Sequence, residues 1–200
     1  MSVASSPAPG RSHAPEIIVA AGCLIALITF GPRASAGLFQ IPMTVQFGWG
    51  RDTFGLALAI QNLLWGLGAP FAGAIADRFG IVKVLCTGAL LYAAGLVMMG
   101  LATSPLQLHL GAGVLIGISL ACTANAIAMS VAARAVPEMV RSTVLGIVSA
   151  AGSLGALLSA PIGQMLNEGF GWRVGLAGFV ILSVGMIPAA LYAGRVDNIP

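Results

Sequence analysis

From Ile17 onward the chain alternates long apolar stretches with short polar turns. Six stretches, at about 17–45, 53–75, 82–102, 106–131, 141–166 and 173–193, each approach or exceed the roughly 20 residues a helix needs to cross a bilayer. The turns between them read GWGRD, DRFG, TSP, ARAVPEMVR and NEGFGW. Irregular backbone or an open sheet edge facing lipid would leave N–H and C=O groups unpaired, so the stretches are predicted to be helices. Residues 1–15 are rich in Ser, Pro and Ala without periodicity and are expected to be a disordered tail. Residues 16–195 then form the membrane domain, and 196–200 start a loop. The pattern predicts an all-α integral membrane protein with six transmembrane helices.

Polar residues are distributed unevenly among these stretches. The first carries Thr29, Arg33, Ser35, Gln40 and Thr44, and the second carries Gln61 and Asn62. The fourth has Ser119, Thr123, Asn125 and Ser130, and the fifth has Ser149, Ser153 and Ser159. The third and sixth hold little beyond Thr87 and Ser183. Every third helix is therefore expected to face lipid while the other four turn polar residues inward, the pattern of a 3+3 repeat. Small residues at i+4 spacing, Ala151, Gly155, Ser159 and Gly163 on the fifth span and Gly113, Gly117 and Ala121 on the fourth, predict close helix packing.

Composition narrows the solvent and the compartment. Apolar residues make up 58% of the 200 and charged residues 8%, with mean hydropathy +0.98. A soluble domain carries about 25% charged residues, so this chain has too little polar surface for water. A net charge of +3 from nine Lys and Arg is too sparse for a nucleic-acid face. Arg11, Arg78, Lys83, Arg134, Arg141 and Arg195 fall on one side of the predicted topology, Arg51 and Arg173 on the other. That bias predicts both termini in the cytoplasm, and the membrane is expected to be the cytoplasmic (plasma) membrane. The Phe47–Trp49 and Phe170–Trp172 triplets then share the external face and read as interfacial aromatic anchors. Cys23, Cys86 and Cys122 lie far apart in apolar runs and read as small core residues. Ala34-Ser35-Ala36 also has the form of a signal-peptide cleavage site, but helix-compatible sequence continuing to Phe47 favours a retained span.

One residue breaks the pattern. Arg33 stands 17 residues after Glu16 and 16 before Trp49, which is about 25 Å and 24 Å of helix. Its side chain extends only about 7 Å and cannot snorkel to either surface from there. A central charge costs about 2.5–3.5 kcal/mol on insertion scales, so the guanidinium is expected to face a watery cavity or a bound anion. Pro32 cannot donate to the Ile28 carbonyl, which predicts a kink at this level. The alternative is a structural arginine held by carbonyls or paired with an acid. No Asp or Glu falls within a predicted span, which removes an in-chain acidic partner and a midplane proton carrier alike.

The stretch Gly73-Ala-Ile-Ala-Asp77-Arg78-Phe-Gly80-Ile-Val-Lys83 resembles the loop signature between the second and third helices of the major facilitator superfamily. Ile81 and Val82 depart from it, where basic residues are common. FGPRASAGLF, FGWGRD and FGWR resemble the monocarboxylate and oxalate/formate-type transporters within that superfamily. The resemblance covers nearly all of residues 17–195. It implies that the chain is the N-terminal half of a twelve-helix carrier working by alternating access, with a C-terminal six-helix half as partner and no cofactor. It also implies a substrate site containing Arg33, with Asn125 where related bacterial carriers often have a tyrosine; Gln61 and Asn62 are the further candidates. Gly73, Asp77, Arg78, Gly80, Lys83 and Arg134 are the candidate conformational latch. In that latch Asp77 pairs with Arg78, Arg134 or a helix N-terminus of the other half and favours the outward-facing state. The alternative is a solvated turn in which Gly80 simply ends the helix.

The expected function is secondary transport of a small organic anion, a monocarboxylate above all. Catalysis has no support, because no Ser-His-Asp or Cys-His set, metal cluster or phosphate loop is present. The rival is a non-transporting membrane module: a truncated product, an orphan half or a regulatory partner of another carrier.

Overall fold

A computed structural model describes residues 14–123 and 125–193, with the side chains of 14, 15, 125 and 126 excepted. Six membrane-length helical spans run Glu16–Phe47, Arg51–Phe79, Ile81–Gly100, Pro105–Arg134, Glu138–Phe170 and Trp172–Ala193. Among the described residues all regular structure is helical. Gly48, Gly80 and Gly171 end the first, second and fifth spans at positive φ. Gly80, at φ 92° and ψ 144°, occupies a region essentially closed to residues with a Cβ, so this position of the loop signature is fixed by backbone geometry. The fourth span starts with a cap: Ser104 Oγ accepts from the Gln107 amide, and Gln107 Oε1 accepts from the Thr103 amide at 2.7 Å.

The first span is interrupted at Ser35, three residues beyond Pro32, between helices Ala14–Ala34 and Ala36–Phe47. The Ser35 amide reaches back to Gly31 O at 3.2 Å, and the Leu38 amide takes Ser35 O at 3.0 Å, a tighter three-residue closure. In the fourth span, residues His109–Leu115 form a π-helical segment. Each irregularity lies inside the bundle, where neighbouring helices can satisfy the displaced backbone groups.

The dominant packing is of the first span on the fifth and of the second on the fourth. The third span packs on the fourth as the sixth packs on the first, and the third and sixth meet each other. This pairing maps onto itself when spans one to three exchange with spans four to six, which is the symmetry of a three-helix repeat. Small residues set the two main crossings. A Cβ at Gly155 would stand 2.7 Å from the Leu27 Cα, and one at Gly117 would stand 3.0 Å from the Gln61 carbonyl oxygen.

Within the six-helix bundle itself the third and sixth spans are the more buried, 50% and 39% of their apolar windows against 17% and 22% for the second and fifth. The aromatic triplets do more than lie at an interface. Trp172 is 8% exposed and donates to Gln46 Oε1 at 2.7 Å, while Phe47 stacks on Trp49 at 4.6 Å and meets Trp172 edge-on at 6.2 Å. They clasp the ends of the first and sixth spans together; of the two aromatics in the second triplet, Phe170 is strongly exposed.

The interior divides into two apolar clusters. One contains Ile18, Ile25 and Ile28 of the first span with residues of the third, fourth and sixth, and all three cysteines pack on it unpaired. The other contains Phe39, Met43, Phe54, Tyr92, Trp172 and Phe179. Along the first span, Arg33 falls between them.

Candidate functional site

The half-buried Arg33 projects from the last turn of the first helical segment towards the second span. Its Nη2 donates to Asn62 Oδ1 at 2.8 Å, and its guanidinium carbon lies 4.3 Å from the centre of the Trp65 ring. Asn62 and Trp65 are three residues apart and share one face of the second span. The Asn62 amide nitrogen donates to Leu58 O at 2.8 Å. With its donor end committed to its own helix, Asn62 presents only its oxygen to the arginine. The indole face adds cation–π attraction, worth up to about 2 kcal/mol where water is displaced.

Both partners are neutral. Two ion pairs among the described residues, Asp77–Arg134 and Glu138–Arg141, lie at span ends and do not include Arg33. An amide oxygen and an aromatic face orient the guanidinium without cancelling its charge. A guanidinium has five N–H donors, so donors remain for a second ligand. The arrangement can therefore bind an anion: a planar fork, fixed in direction, at mid-span.

Gln61 precedes Asn62 in sequence and turns elsewhere. It is 3% exposed, and its Nε2 donates to Ala112 O at 2.9 Å, inside the π-helical segment of the fourth span. Arg33 and Gln61 meet again as walls of one small cavity. The side chain of Asn125 lies outside the described residues. Trp65 and Tyr92 were not among the sequence candidates. Trp65 had a usable signal, the i+3 spacing from Asn62; Tyr92, on a span expected to face lipid, had none.

The loop-signature residues gather at the other end of the second span. Arg134 Nη2 donates to Asp77 Oδ1 at 3.1 Å, joining the second span to the fourth. The two side chains are 52% and 70% exposed. Gly73 and Ser130 line the same groove, of about 230 Å³. Of the three partners considered for Asp77, the structure places Arg134 on it. Arg78 instead lies 5.4 Å over the ring of Phe79, and Lys83 lines a separate groove with Thr87 and Cys122.

Residues 21–198 match the family model of the Major Facilitator Superfamily. The chain belongs to that superfamily. Monocarboxylate transporter 3 of Rattus norvegicus is 29% identical over 160 residues, which are 80% of this chain and 32% of the relative. The MFS-type transporter pynF of Aspergillus niger is 28% identical over 192 residues, 92% of this chain and 43% of the relative. Multidrug resistance protein MdtH of Yersinia pestis is 41% identical over 80 residues, 40% of this chain and 20% of the relative. The chain thus spans less than half the length of these curated relatives. As a member of the major facilitator superfamily it is a multi-pass membrane protein of a transporter family, and it resembles the monocarboxylate carriers.

Proposed function

We propose that this chain is the N-terminal half of a carrier that moves a small organic anion, a monocarboxylate, across the cytoplasmic membrane by alternating access. The observation that carries the reading is Arg33: a permanent charge at mid-span, fixed by Asn62 and Trp65 and neutralised by neither. A carboxylate matches the guanidinium fork in charge and geometry. The likeness to a monocarboxylate transporter agrees with that chemistry.

A second six-helix half fits two features. The relatives are more than twice as long as the matched segment. The second span also carries Leu63, Leu67, Phe71 and Ile75 at four-residue spacing, all about half exposed or more, and the fifth exposes Leu157 and Met165. These are the least buried spans, and they flank the crossings on which the bundle is built. Both termini are assigned to the cytoplasm by the cation bias of the turns.

The test is uptake of labelled small carboxylates into liposomes holding the complete carrier, with insertion direction read from a cysteine placed at Gly50. Saturable carboxylate uptake is expected, the Gly50→Cys position labelling from outside and the 200-residue chain alone being inactive. Uptake of cations or neutral compounds with no competition from carboxylates would overturn the substrate assignment. Labelling of the Gly50 position only from the cytoplasm would reverse the topology.

In this reading the Asp77–Arg134 contact is a latch. An exposed pair of this kind adds only about 0–1 kcal/mol to stability. Asp77→Asn is therefore expected to leave the melting temperature nearly unchanged and slow turnover several-fold, with equilibrium substrate binding retained. Unaltered turnover accompanied by weakened binding would rule the latch out.

A further inference from the structure

At the edge of the second apolar cluster lies a cavity of about 20 Å³ whose walls include Arg33, Gln61 and Tyr92. The remaining wall is largely apolar, with Phe39, Phe54 and Leu96 prominent. A volume of about 10–15 Å³ on this measure accommodates one water molecule, and water enters only where two to four polar groups receive it. An apolar void of the same size stays dry.

Gln61 supplies the decisive group. Its nitrogen is committed to Ala112 O, while its Oε1 is buried with no hydrogen-bond partner among the described residues. An unmet buried acceptor costs about 1–3 kcal/mol. Tyr92 is 1% exposed, and a buried tyrosine hydroxyl normally finds a partner. The Arg33 guanidinium has donors beyond the one spent on Asn62. Three polar groups from three spans therefore line a space of one-water size.

We infer that this cavity holds a single internal water, which donates to Gln61 Oε1, bonds the Tyr92 hydroxyl and accepts from Arg33. Gln61 and Tyr92 are then positioning residues: they fix the arginine through the water and tie it to the third span and to the π-helical segment of the fourth. The water satisfies Gln61 without adding charge, so the guanidinium keeps its full attraction for an anion. The positioning role rests on the reading of Arg33 as the anion contact; the water itself does not.

The test has a structural arm and a kinetic arm. In an experimental structure of the 200-residue chain at about 2 Å resolution, a density peak is expected within hydrogen-bond distance of Gln61 Oε1 and Tyr92 Oη. A resolved but empty cavity would overturn the inference. In detergent, Tyr92→Phe, which removes one oxygen and keeps the ring, should lower the melting temperature, as should Gln61→Met. The double variant should melt no lower than Gln61→Met alone, because the water leaves with its first partner; fully additive losses would contradict the bridge. In the complete carrier Tyr92→Phe should raise KM for the anion several-fold with kcat retained, and an unchanged KM would remove the positioning role. Should Arg33→Gln transport normally, the anion reading fails while the density peak and the melting cycle still decide the water.

Discussion

Replacing Arg33 by Gln is expected to abolish anion uptake by the complete carrier while leaving membrane insertion intact. The substitution keeps a shorter polar side chain and removes the charge and the fork. Hydrogen bonds to a charged group contribute about 1.5–3 kcal/mol each, so loss of the fork's two parallel bonds should cost on the order of a hundredfold to ten-thousandfold in anion affinity. Lysine should restore part of the activity, because an ammonium attracts the carboxylate as a point charge without the paired parallel bonds. Stability discriminates between roles. A central charge is costly in the membrane, so a purely ligand-binding arginine should yield a Gln variant at least as heat-stable as the parent. A structural arginine should yield a less stable one. Wild-type uptake by Arg33→Gln at matched expression would end the substrate role.

The largest effect on folding is expected at Gly155. A Cβ there would overlap the Leu27 carbonyl oxygen and approach the Leu27 Cα to 2.7 Å. Those are backbone atoms of the first span and cannot swing aside as a side-chain tip can. Across the same crossing, a Cβ at Gly31 would collide with Ser159 Oγ. Gly155→Leu must therefore push the first and fifth spans apart along one of the two most extensive helix crossings of the bundle. Overpacking a core commonly costs about 1–3 kcal/mol, and a backbone clash belongs at or beyond the upper end. The expected outcome is loss of the monodisperse species in size-exclusion chromatography, or a melting temperature lowered by many degrees. Gly146 lies on the same span with open space where its Cβ would stand, so Gly146→Leu should behave like the parent. Equal melting of the two variants would show that the crossing is looser than the structure has it.

Six helices were legible in the sequence because a bilayer leaves the backbone almost no other choice. The superfamily signature was legible for a related reason: Gly80 is dictated by its own φ and ψ, a local property that a local motif can carry. Arg33 announced itself as a midplane charge by counting residues alone. The small-residue ridges on the fourth and fifth spans likewise foretold close approach, since a helix repeats its face every three to four residues.

What those ridges approach was not in the sequence. Gly155 meets Leu27 and Gly117 meets Gln61, and such pairings depend on helix order and rotation, which residue spacing within one helix does not encode. Nor could polarity single out Tyr92, because the third span, almost wholly apolar, contributes this buried residue to the cavity beside Arg33. Adjacent residues parted for the same reason: about 100° of helix rotation sends Asn62 to the arginine and Gln61 to the fourth span. The sequence determined that this protein crosses a membrane in six helices, bears an uncompensated cation at mid-depth and belongs with a recognisable superfamily, because each of these follows from hydropathy, length or a contiguous motif. Tertiary structure decided that an amide and an indole hold the cation, that Asp77 pairs with Arg134, and that Gln61 and Tyr92 share a cavity with Arg33, because each of these joins side chains from helices whose mutual rotation is set only by how all six pack.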